Sequence, residues 1–275
     1  MSEAARRALL ARLAAQFAEA VADGSEVHEI AGFRVHLWHA ADPFYRNVAI
    51  PVAPVDDWRP AIAAMRDLFE EHRRTPRLEF FAELWPGLAP ALEAAGFQAE
   101  RRAAVMTRGP EGPLATGAPA RLLTADEPRP MLASFLGGAA EAFGEPAAML
   151  AAGEVERLAT GLARGAGVAA AALMGGRPVS GASLIRAGRV AELAGVWTSA
   201  AWRRRGLARR CCALLLERFF GDGGEVAWLS ASDAAGASLY RSLGFAPLGT
   251  QLNYARLSAG QLEPALRACA SGTQS

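Results

Sequence analysis

The residues best suited to chemistry form one short run, Arg203-Arg204-Arg205-Gly206-Leu207-Ala208. An apolar, strand-like segment, Ala191–Thr198, leads into it, and a helical pattern leaves it, with Leu207, Cys211, Leu214 or Leu215, and Phe219 on one face. Gly221-Asp222-Gly223-Gly224 stops that helix. A helix start of this kind is an anion site. Its first-turn N–H groups lack intrahelical partners, and the macrodipole places positive charge there. Gly206 has no β-carbon to obstruct a phosphate, and Arg203 can add a charge-assisted contact. The competing reading is a solvated basic helix start. A nucleotide P-loop is excluded, because G-x-x-x-x-G-K-[ST] is missing and the chain has no lysine.

The next stretch narrows the choice. Glu225–Ser230 reads as a buried strand, and Asp233 opens a short helix, Ala234–Phe245, ended by Gly244. The sequence here resembles the GNAT superfamily of N-acetyltransferases. Arg203-x-x-Gly206-x-Ala208 matches that family's [QR]-x-x-G-x-[GA] pyrophosphate loop, and Asp233 with Tyr240-x-x-x-Gly244-Phe245 matches its N-x-x-A-x-x-L-Y-x-x-x-G-F segment. The likeness covers about residues 165–250. Asp233 stands where the family has asparagine, and Gly236 where it has alanine. An ionised aspartate accepts hydrogen bonds and cannot donate them, which alters one expected pantetheine contact.

The resemblance implies transfer of an acetyl group from acetyl-CoA, as cosubstrate, to an amine. It assigns the pyrophosphate to Arg203, Arg204, Arg205, Gly206, Leu207 and Ala208. Backbone groups of Val196, Trp197 and Thr198 go to the pantetheine and the acetyl carbonyl. Tyr240 becomes the general acid toward the departing sulfur. Glu192, on the strand before the loop, is the candidate base, directly or through water. Its facing depends on strand alternation and on any bulge. The four histidines, His28, His36, His39 and His72, all fall in the first half and read as ordinary strand and surface residues. No His/Cys cluster has zinc spacing, so no metal is expected.

These residues need a scaffold. The expected elements are a helix Glu3–Val21, strands Glu29–Trp38 and Asn47–Val52, a helix from Trp58 to His72 capped by Asp56 and Asp57, strand Arg77–Ala82, helix Pro86–Ala95 and an extended Phe97–Thr107. After a Gly/Pro-rich linker, Gly109–Pro119, come strand Ala120–Leu123, helices Pro130–Phe143 and Met149–Arg164, and a hairpin Gly167–Met174 and Val179–Arg186. Beyond the motifs, Pro247–Leu257 closes the sheet and Gln261–Cys269 is a terminal helix. The fold class is mixed α/β: two GNAT-like halves, each a mixed, mostly antiparallel sheet flanked by helices. The division is 1–115, degenerate, and 116–275, catalytic.

The degenerate half rests on a cryptic repeat at an offset of 148 residues. Arg77–Phe97 and Glu225–Phe245 share the order strand, short helix, Gly-Phe. At that offset Leu92 faces Tyr240, Trp85 faces Asp233, and Pro54-Val55-Asp56-Asp57-Trp58 faces Trp202–Gly206. Two carboxylates in place of arginines repel a pyrophosphate. The expectation is therefore one acetyl-CoA per chain, with the first half shaping the acceptor site.

Composition excludes other classes. Hydrophobic residues make up 52% and charged residues 21%, enough for a real core. A net charge of +1 and one short basic cluster give no nucleic-acid footprint and no attraction to anionic membranes. Three cysteines, Cys211, Cys212 and Cys269, make no disulfide framework, and no signal peptide or membrane span is visible. A cytoplasmic enzyme with a small-molecule or peptide amine acceptor is expected. The alternative is a non-catalytic acyl-CoA binder or sensor that kept the loop and lost the chemistry.

Overall fold

The computed structural model describes residues 1–22, 24–38, 46–112, 114, 120–144, 153–165 and 167–256. The expected terminal helix, His39 and Cys269 lie outside them. Helix α1 (Glu3–Ala20) begins at a serine cap, with Ser2 Oγ accepting from the Ala5 amide. Strands β1 (Ser25–Ile30) and β2 (Phe33–Trp38) form a hairpin where one strand, Glu29–Trp38, was expected. The reason is the Ala31-Gly32 turn, with both residues at positive φ, 49° and 85°. That is the backbone a two-residue hairpin turn requires, and alanine does not advertise it. Strand β3 (Val48–Pro51), helix α2 (Trp58–Glu71), strand β4 (Arg77–Phe81), helix α3 (Leu88–Ala94) and strand β5 (Gln98–Arg108) follow.

The rest of the chain gives β6 (Ala120–Leu122), α4 (Arg129–Ala142), α5 (Glu154–Arg164), β7 (Gly167–Met174), β8 (Arg177–Ala187), β9 (Val190–Thr198), α6 (Leu207–Gly221), β10 (Val226–Ala231), α7 (Ala234–Ser242) and β11 (Ala246–Ala255). The order β1-β2-β3-α2-β4-α3-β5 recurs as β7-β8-β9-α6-β10-α7-β11. The turns that end α3 and α7 also agree bond for bond. Gly96 and Gly244 have φ of 83° and 85°. The following Phe97 and Phe245 amides donate to Leu92 O and Tyr240 O at 2.9 and 3.0 Å. Each is a helix C-terminus closed by a left-handed glycine.

Compactness divides the chain differently from the linker. One unit holds Met1–Val105, Ser230–Ala234 and the chain from Pro247 onward, and the other holds Met106–Leu229 with Ala235–Ala246. The first unit's strands run β1-β2-β3-β4-β11-β5. β11, expected to close the second half, pairs antiparallel with β4 from Gln251↔Phe81 to Ala255↔Arg77. Its Leu252 and Tyr254 join a core of Phe33, Met65, Phe69, Leu78 and Leu92. The physical cause is burial on both faces: β11 is buried from Gln251 to Ala255.

The second unit's strands run β10-β9-β8-β7-β6. Its core joins Leu132 and Phe135 of α4 to Ala169 and Ala171 of β7 and to Trp197 of β9. Trp197 is seated by glycines. A Cβ on Gly138 would lie 2.4 Å from its ring, and a Cβ on Gly181 2.3 Å from the Phe135 ring and 2.7 Å from Trp197 Nε1.

Candidate active site

β9 sets the site. It pairs with β8 along its length, but the register shifts between Gly181 and Ser183. Gly195, at φ 57°, makes this a β-bulge in which Gly195 and Val196 together oppose one residue of β8. On its other edge β9 pairs in parallel with β10 only from Val190↔Val226 to Glu192↔Trp228. The two strands part there, and Glu192 stands at the parting. Beyond it, β9 continues to Thr198 with an edge that β10 does not cover.

Backbone direction in that stretch follows from three bonds. Ser180 Oγ, fully buried, donates to Trp197 O at 2.7 Å, and the Ser199 amide donates to Val179 O at 2.9 Å. Trp197 and Ser199 therefore face β8. Along an extended strand, successive residues direct their N–H and C=O to opposite edges, so Val196 and Thr198 face the uncovered one. The Trp197 carbonyl, expected to serve pantetheine, accepts from Ser180, and its indole, 3% exposed, is core. Ser180 also bonds Thr198 Oγ1 at 2.8 Å, fixing the strand end. Neither Ser180 nor the bulge was singled out from sequence, although a glycine inside a strand pattern is a known sign of a bulge.

The loop then turns back. Arg203 is extended, Arg204 is left-handed at φ 59°, and Gly206 at φ 73° caps α6 with no side-chain cap bond. Gly206 meets two demands. Its backbone conformation disfavours other residues, and a Cβ there would have nothing within 4 Å. The first helical bond is Arg210 N to Gly206 O at 3.1 Å, so the amides of Leu207, Ala208 and Arg209 precede the helical ladder. No acidic side chain lies in that turn. The Leu207 side chain is buried, so its contribution is its backbone. Arg203 Nε donates to Thr198 O at 3.3 Å, and the Arg205 guanidinium lies 4.7 Å from the Trp202 ring centre. Arg203, Arg204 and Arg205 are all exposed.

Tyr240 is half-buried on α7, with its ring edge-on to Phe245 at 6.2 Å. Asp233 is exposed and directly precedes α7. Two arginines fix this helix. Arg209, in the first turn of α6, donates to Ser242 Oγ at 3.3 Å, which joins the loop's helix to that of Tyr240. Arg108, 6% exposed, donates to Leu243 O, Gly109 O, Glu111 O and Gly112 O. Burial lowers its pKa without threatening its charge. Neither was foreseen, since Arg209 reaches the Ser242 hydroxyl and Arg108 the Leu243 carbonyl, both far away in sequence.

Cys211 and Cys212 are buried on α6, and burial pushes the Cys211 thiol up to about 11 and that of Cys212 further. They are packing residues, not nucleophiles. A cleft of about 1300 Å3 opens in the first unit, lined by Ala8, Ala11, Arg34, Val55, Trp58 and Trp85 among others. It contains none of the candidate residues for acyl transfer.

Residues 134–245 match the model of the Acetyltransferase (GNAT) family, a span that contains the bulged strand, the loop and Tyr240. That segment is a GNAT acetyltransferase domain. Solved structures agree in fold across nearly the whole chain. A GCN5-related N-acetyltransferase from Kribbella flavida is 22% identical, with a TM-score of 0.75 over 93% of this chain and 98% of that one. A tandem GNAT protein from the clavulanic acid biosynthesis pathway is 13% identical, with a TM-score of 0.57 over 90% and 96%. A GCN5-related N-acetyltransferase from Sphaerobacter thermophilus is 16% identical, with a TM-score of 0.61 over 82% and 76%. No curated protein matches. Among the described residues no helix is long and apolar enough to cross a membrane.

Proposed function

We propose that the chain is a cytoplasmic N-acetyltransferase that transfers the acetyl group of acetyl-CoA to an amine, and that its second repeat binds the cofactor. The observation that carries this reading is the pairing of an uncapped glycine-led helix start with a bulged strand that β10 leaves after Glu192. The amides of Leu207, Ala208 and Arg209, with the exposed Arg203, Arg204 and Arg205, suit a pyrophosphate. The open edge of β9, with Val196 and Thr198, suits an extended amide-bearing arm such as pantetheine. Asp233, at the head of α7, is a further candidate contact through its carboxylate.

In the reaction the acceptor nitrogen attacks the thioester carbonyl carbon and the C–S bond breaks. Glu192 receives the amine proton, directly or through water, and Tyr240 gives its phenolic proton to the leaving thiolate. A backbone N–H of β9 stabilises the oxyanion; losing such a donor costs about 3–4 kcal/mol in other enzymes. The first repeat is a GNAT-like fold without a cofactor. Where α6 begins with an open glycine, α2 begins with Asp57, whose carboxylate already accepts from the Arg59 amide at 3.0 Å and pairs with its guanidinium at 2.9 Å. That helix start carries its own anion.

The test is release of free CoA thiol from acetyl-CoA in the presence of a panel of small-molecule and peptide amines. Thiol release that depends on both amine and protein is the expected result. Saturable acetyl-CoA binding with no turnover on any amine would leave a sensor instead.

A further inference from the structure

Outside the acyl-transfer residues, the first unit gathers three side chains with the chemistry of metal ligands. Glu26 and His28 are two apart on β1 and so share one face of the strand. His72 is the residue that ends α2, 44 positions later in the chain. One ligand atom from each lies within 4.8 Å of the other two. Glu26 Oε1 is 3.0 Å from His28 Nε2, without hydrogen-bond geometry. The two imidazoles stand 5.3 Å apart, tilted by 60°. His72 Nδ1 lies 2.9 Å from Leu68 O. If Nδ1 carries the proton, that bond leaves Nε2 with a lone pair and orients the ring, which is the outer-shell arrangement usual for a metal-bound histidine.

We propose that Glu26, His28 and His72 bind one divalent transition-metal ion of the zinc class, tying β1 to the C-terminal end of α2. Two imidazole nitrogens and a carboxylate oxygen suit such an ion better than calcium or magnesium, which take oxygen ligands. Ligand bonds of about 2.0–2.1 Å in a tetrahedron set neighbouring donors about 3.4 Å apart. The Glu26–His28 pair is near that spacing, and the rest is a shift of about 1 Å by partly exposed side chains. Three protein ligands leave a fourth position for water. The chain order hides the set, because the strand and the helix end meet only in the folded unit.

The experiment is titration calorimetry of the metal-free full-length protein with zinc chloride, repeated on His28→Ala, His72→Ala and Glu26→Gln. One ion per chain is expected, with each histidine variant binding at least tenfold more weakly and the metal raising the melting temperature of the wild type alone. Absence of saturable binding, or equal affinity in wild type and both histidine variants, would overturn the proposal. If a variant fails to fold, the cobalt(II) form of the wild type decides. Strong visible absorption from a four-coordinate ion is expected, and the weak spectrum of a six-coordinate aquo-like ion would be the contrary result.

Discussion

Tyr240 has its ring edge-on to Phe245 and its backbone carbonyl engaged by Leu243 and Phe245 amides. Tyr240→Phe keeps that packing and removes only the hydroxyl. It should lower kcat by about 10²-fold with acetyl-CoA affinity unchanged, since general acids contribute on that order; equal turnover by both proteins would move the proton donor elsewhere. Gly206→Asp should instead abolish acetyl-CoA binding, because it sets a carboxylate in the open space proposed for the pyrophosphate. Calorimetry on a folded variant with undiminished affinity would remove the loop assignment. His36 supplies a pH effect unrelated to catalysis. It is fully buried, its Nδ1 lies 3.3 Å from Ser25 Oγ, and burial first, then Arg34, lowers its pKa to about 4. The unfolded chain takes up this proton first as pH falls. The associated stability is complete above about pH 6.5 and declines toward pH 4, by about 3 kcal/mol in all. Urea melts at several pH values should show that decline in the wild type and a shallower one in His36→Phe.

At the scale of elements, the loop and α7 were legible because their signals are local: Gly206, Asp233 and Gly244 mark ends that the backbone needs. The β1–β2 hairpin was not, because its turn uses Ala31 where asparagine or aspartate would have been conspicuous. The direction of the Trp197 backbone was not legible, because it depends on Ser180 of the neighbouring strand and on the bulge at Gly195. Arg108 was invisible as a structural residue, since its partners are backbone carbonyls. It gathers the end of α7 and the chain after β5 through a forked set of donors that lysine cannot reproduce. Arg108→Ala should cost about 1–3 kcal/mol by leaving the buried Leu243 carbonyl without its donor, and Arg108→Lys should recover little of it. Denaturant midpoints for the pair check this; full rescue by lysine would mean that charge alone matters.

For the whole molecule, the repeated order of elements was readable from the 148-residue offset, and the compact units were not. A stretch rich in glycine and proline is a signal of local composition, whereas strand partnership is decided by which apolar faces meet. One acetyl-CoA per chain is the expected stoichiometry, because Asp57 occupies at α2 the role proposed for an external phosphate at α6. Native mass spectrometry showing two equivalent cofactors would contradict it. β11 also has a consequence in time. The first unit's sheet needs Gln251–Ala255 between β4 and β5, and its core needs Leu252 and Tyr254. Synthesis proceeds at roughly 5–20 residues per second, and domains ordinarily fold as they leave the ribosome. Here the amino-terminal unit must wait for some 150 further residues to be translated, with β4 and β5 still lacking the strand that lies between them. That makes the nascent chain a natural client for chaperones.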